Sequence, residues 1–197
     1  MEEIPHVGVS YQVDLPKEIP SEFIKNIAAP GLKTLSEPRP IGIYASLEWA
    51  MPTLLVVYIL KPYFNAFLTE AGSDHYRILK NALSQLLRHL FGKRPETRPK
   101  KRSRIFSIQT YTQDQRSLKF IFPEGLCHQD YDTSLDTLLQ LLQSHHSNGK
   151  TDQLSKLIDS TADKRGPIYV EYFLDEKTWV LIDMAKEISK MARAPEK

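Results

Sequence analysis

Glu48, Lys61, Glu70, Asp74, His75 and Tyr76 are polar residues embedded in a largely apolar stretch between Ser46 and Tyr76. A carboxylate, an imidazole and an amine that converge in one pocket can exchange protons with a substrate. Glu48, Lys61 and His75 are therefore the candidates for acid–base catalysis. Structural duties suit them equally, with Glu48 and Lys61 as an ion pair or snorkelling helix ends and Asp74 as a helix cap. A second group, Cys127-His128-Gln129-Asp130, sets three ligand types within four residues, and His145-His146 follow one helix later. This group lacks the paired spacing of CxxC or HExxH, so no metal site is predicted. Cys127 with a distant His is the pattern of a thiol nucleophile. Against that, His145 and His146 fit the last turn of a helix, where imidazolium suits the dipole. The chain contains no GxGxxG, GxxxxGK[ST] or GxSxG, so no nucleotide or other cofactor is predicted, and the reading leans away from an enzyme.

The third feature is electrostatic. Lys93, Arg94, Arg98, Lys100, Lys101, Arg102 and Arg104 stand within twelve residues beside a single acid, Glu96. That segment carries +6 and the whole chain +2, which leaves −4 for the remainder. Clustered cations of this kind neutralise phosphates in nucleic acid or in anionic headgroups. No aromatic residue is interleaved with them for base stacking, and no groove-reading motif surrounds them. A solvated loop is the plain alternative.

The elements that must hold these groups are legible from periodicity. The chain of 197 residues, 41% apolar and 25% charged, is predicted to form one domain over 1–197 with a basic loop at 93–104. One cysteine excludes an internal disulfide, and the acidic, alternating N-terminus is unlike a signal peptide. A cytoplasmic, bacterial protein is the expectation. Alternation from Val7 to Leu15 predicts a strand, Phe23 to Ile27 a short helix capped by Ser21, and Ile41 to Leu47 a second strand. The stretch APGLKTLSEPRP between them reads as a loop. Leu79 to Leu90 at 3,4 spacing predicts a long amphipathic helix stopped by Gly92. Hairpins follow at 105–122 and 167–182, with helices around Leu135–Leu142, Leu154–Ile158 and Met184–Met191. The predicted class is α+β, a mostly antiparallel sheet built from hairpins with amphipathic helices packed on it.

The run from Trp49 to Leu60 is uncharged for only twelve residues, and Lys61-Pro62 ends it, so a membrane span is disfavoured. The prolines instead predict a buried helix over 52–61, a kink at Pro62, and a second helix over 62–71. In sequence, Ser46-Leu47-Glu48-Trp49 with Pro52, Lys61-Pro62-Tyr63-Phe64, Glu70-Ala71-Gly72 and Asp74-His75-Tyr76 resemble a segment of uncharacterised bacterial proteins of similar size. That resemblance covers about residues 44–83 and implies no activity. The leading expectation is a non-catalytic interaction or regulatory protein that holds a partner protein, or its own copy, through 49–71, with Trp49, Tyr63, Phe64 and Phe67 at the interface. The alternative is nucleic-acid binding through 93–104, and third is a small enzyme around Glu48, Lys61 and His75.

Overall fold

The sheet is mixed, with seven strands. The computed structural model describes residues 4–40, 53–67, 73–112, 114–148, 151–161 and 165–192. In chain order these are β1 (Val7–Gln12), α1 (Glu18–Asn26), β2 (Thr34–Arg39), β3 (Leu55–Ile59), α2 (Lys61–Phe67) and α3 (Ser73–Phe91). There follow β4 (Arg102–Tyr111), β5 (Ser117–Pro123), α4 (His128–Asn148), α5 (Gln153–Asp159), β6 (Ile168–Phe173), β7 (Thr178–Leu181) and α6 (Met184–Ala192). The strand order is β2-β1-β3-β4-β5-β6-β7. The α+β class is as expected, but the mostly antiparallel sheet is corrected. β1/β2, β3/β4 and β5/β6 are parallel, because helices intervene between those partners and return the chain to the same edge.

The largest correction concerns the apolar run. Its described part is strand β3, with Leu55, Val57 and Ile59 facing the helices and Val56 buried on the other face. A short apolar run buried on both sides lacks periodicity, and the β-branched Val56, Val57 and Ile59 suit a strand. The predicted kinked helix therefore starts only at Lys61, where Pro62 occupies the first turn and its missing N–H costs nothing. A second correction is β2, which lies inside the stretch read as a loop. It is an edge strand, where Pro38 is tolerated. The strand predicted at 41–47 lies outside the described residues. α1 begins at Glu18, ahead of the expected Ser21 cap.

One face of the sheet forms the apolar core with all the crossover helices. Phe120, Phe122 and Tyr172 gather around Trp179, with Phe106 against Phe122, and the Trp179 Nε1 donates to the Ser134 carbonyl of α4 at 3.3 Å. α3 and α4 are joined by Lys80–Asp136 at 2.6 Å, Arg88–Asp132 at 3.1 Å and the stacked rings of Phe91 and Tyr131. The crossover β3–α2–α3–β4 has the same hand as β1–α1–β2. β5–α4–α5–β6 has the opposite hand, since it moves the same way across the sheet from a reversed strand while its helices keep to the same face. Crossovers are right-handed almost without exception, so this sheet carries an uncommon connection.

The second face is polar at its centre. Register aligns Gly8, Tyr58, Gln109, Lys119 and Tyr169 across five neighbouring strands. Lys119 is only 2% exposed, and burial, with Arg39 nearby, holds its amine down to about 8.

Candidate nucleic-acid interface

The basic segment is braced at both ends rather than looping freely. α3 stops at Phe91 because Gly92 turns left-handed at φ +85°. Arg98 then folds back, donating from Nε to the Phe91 carbonyl at 3.1 Å and from Nη2 to the Leu90 carbonyl at 3.4 Å. It supplies the partners that the last helical carbonyls lack, and a cation suits that negative end. Arg98 also lies over the Phe91 ring and within 3.6 Å of Glu124. The Glu124 N–H donates to the Lys101 carbonyl at 2.7 Å. Gly125, at φ +79°, comes so close that a Cβ there would stand 2.7 Å from the Arg98 carbonyl oxygen. His128, opening α4, donates from Nε2 to the Lys93 carbonyl at 3.3 Å.

Arg98 and Arg102 are thus internal fasteners. Arg98 caps α3, and Arg102 is held by Glu171 and by Glu187 of α6. The expected basic loop is shorter than predicted, because Arg102 and Arg104 already belong to β4, where main-chain pairing fixes the backbone. Lys93, Arg94, Lys100, Lys101 and Arg104 are exposed. Of these, Lys93, Lys100 and Lys101 lie beside the turn that leads into α4, at the β4 entrance.

The acid–base candidates do not meet. His75 is buried with both nitrogens engaged: Nε2 donates to the Ile27 carbonyl at 2.9 Å, and Nδ1 faces the Tyr63 hydroxyl at 3.1 Å. It ties α3 to α2 and to the end of α1. Burial pushes the Tyr63 phenol well up, and burial with Asp136 raises Tyr76 to about 12. Lys61 is exposed at the start of α2, and Asp74 pairs with Arg77 at 2.9 Å on the surface. Glu48 and Glu70 lie outside the described residues.

The interface expectation is also altered. Tyr63 and Phe64 are 0% and 5% exposed, and Phe67 packs among His6, Tyr63 and His75. Tyr63 and Phe64 thus anchor α2 to the core, with Phe67 partly buried beside them. Trp49 lies outside the described residues.

Sequence reading passed over one further constellation. His145 donates from Nδ1 to Asp152 at 3.2 Å, and Ser155 Oγ stands 3.2 Å from the same nitrogen. A serine hydrolase sets its serine on Nε2, opposite the carboxylate. Here Asp152 is the N-cap of α5, accepting from the Ser155 N–H at 3.0 Å, and the group is a helix cap. Burial works against the Asp152 charge, yet the Ser155 and His145 hydrogen bonds keep its carboxyl below the ordinary range. The Asp-x-x-Ser spacing at 152–155 was the available signal. Cys127 donates its thiol hydrogen to Asp130 at 3.0 Å. Among the described residues no three His, Cys, Asp or Glu side chains are grouped to hold a metal ion, and no helix is long and apolar enough to cross a membrane. No family model, curated protein or solved structure matches the chain.

Proposed function

We propose that the protein binds nucleic acid through the ridge of Lys93, Arg94, Lys100, Lys101 and Arg104, reading phosphates rather than bases. The observation that carries this reading is the division of labour within the segment. Arg98 and Arg102 fasten the backbone, while Lys93, Arg94, Lys100 and Lys101 stand exposed on a chain that is already positioned. Holding the segment in place beforehand lowers the ordering cost of binding. With no aromatic side chain inside 92–104, recognition rests on charge and follows counterion release.

Fluorescence anisotropy with a short labelled duplex and a single strand of equal length tests the proposal. At low salt the wild-type chain binds, and Lys100→Gln with Lys101→Gln weakens both probes alike. Absence of wild-type binding to either probe, or binding only to phosphatidylserine vesicles, overturns it.

A further inference from the structure

Among the described strands, β2 and β7 are the two edges of the sheet, and they are built differently. The β2 edge carries Glu37, Pro38 and Arg39, a proline and two charges of the kind that discourage further pairing. The β7 edge, Thr178-Trp179-Val180-Leu181, has neither. The Ile182 N–H donates to the Tyr169 carbonyl at 2.9 Å, which sets the phase of the β6/β7 ladder. Thr178 and Val180 therefore turn their main-chain groups toward β6, and Trp179 and Leu181 turn theirs outward. Those outward N–H and C=O groups meet no hydrogen-bond partner among the described residues.

The surface beside this edge is nearly free of charge. Between α4 and β7 lies a groove of about 270 Å³, with Thr137, Gln140, Leu141 and Ser144 on the helix side. Their spacing makes one stripe along α4. Lys177, at the end of the strand, is the single charge on the lining. A two-fold contact brings residues near the axis against their own copies, so a charge there would repel itself and an uncharged surface suits it. Antiparallel pairing of β7 with the same strand of a second copy, centred on Val180, sets Trp179 opposite the partner's Leu181 and the reverse. Every outward main-chain group of Trp179 and Leu181 then gains a hydrogen bond, and the indole lies beside an aliphatic side chain. The same register places the exposed Lys177 opposite the partner's Asp183 at each end. Asp183 caps α6 and touches Lys186 at 3.2 Å, but its side chain is still 49% exposed, open to a second cation. We propose that the β7 edge joins two copies of this chain, extending their sheets into one.

Sedimentation velocity of the full chain across the micromolar range should show a species of twice the 22.7 kDa chain mass. Leu181→Pro removes an outward N–H while sparing the β6 ladder, a place where an edge strand accepts proline, and should leave only monomer. Lys177→Glu replaces two attractions with two repulsions and should weaken the dimer by about tenfold. With Cys127→Ser as background, Val180→Cys should form a disulfide-linked dimer under oxidised glutathione. Leu35→Cys, equally placed on the β2 edge, should not. If Leu181→Pro fails to fold, this crosslink decides alone. A chain that stays monomeric throughout overturns the proposal and leaves the edge to a strand of another protein. A dimer that crosslinks no better through Val180→Cys than through Leu35→Cys overturns it equally. Lys100→Gln with Lys101→Gln leaves the dimer intact, so this contact and nucleic-acid binding stand or fall separately.

Discussion

The Arg102 guanidinium donates to both carboxylate oxygens of Glu171, at 2.6 and 2.8 Å, and its Nη1 reaches Glu187 at 2.8 Å. One residue of the basic segment thereby joins β4, β6 and α6. The Arg102 hydrogen bond, with that of Lys190, holds the Glu187 carboxyl below its ordinary range.

Replacing Arg102 with Gln strands two half-buried carboxylates beside each other. We expect a loss of about 1–3 kcal/mol in urea unfolding, less than for a fully buried pair because all three side chains keep some water. Nucleic-acid affinity of the folded variant should fall far less than in the Lys100/Lys101 variant. A larger fall would place Arg102 in the interface itself.

For the ridge, salt dependence is the sharper readout. Each cation that neutralises a duplex phosphate contributes about 0.9 to the slope of log K against log salt. Lys100→Gln with Lys101→Gln should reduce that slope by about 2, and an unchanged slope would exclude both residues from phosphate contact.

Gly125 tests the brace without touching a charge. Alanine there meets the Arg98 carbonyl at 2.7 Å and keeps an unfavourable positive φ. Gly125→Ala should cost about 1–3 kcal/mol and weaken duplex binding although every cation remains. Undiminished affinity in a destabilised variant would show that bracing is irrelevant to binding.

His146 should govern stability on the acid side. Its ring stacks on Phe64 with centroids 4.4 Å apart, and burial, then His145 and Lys61, lower its pKa from 6.5 to about 4. Between those values the unfolded chain binds the proton and the folded chain does not, so stability falls as pH drops through the window. His146→Phe should flatten this decline in urea midpoints measured between the two values. A decline of unchanged steepness would assign it to other groups.

Lys119 acts on the alkaline side. Its folded value of about 8 lies below the ordinary 10.5, so the unfolded chain again holds more protons, and stability should rise with pH above about 8. The rise ends near 10, where the tyrosines raised by burial, Tyr63 and Tyr131 among them, begin to favour unfolding. Lys119→Met should remove the rise, and persistence of the rise in that variant would count against the assignment.

Much of this molecule is readable from periodicity alone. The two hairpins, the 3,4 spacing behind α3 and the apolar positions of α4 each record a surface with one wet and one dry side. Such a pattern survives whatever the neighbours are. The cation cluster was equally visible, because charge is a property of composition. Tertiary structure alone decided the rest. Leu55–Ile59 is a strand because β1 and β4 pair with it on both sides, and a run buried all round carries no period to reveal that. His75 is structural because Ile27 and Tyr63, distant in sequence, take both its nitrogens. Arg98 and Arg102 are fasteners because a helix end and two remote glutamates reach them. Sequence determined which residues are charged; long-range contacts decided which charges remain for a partner.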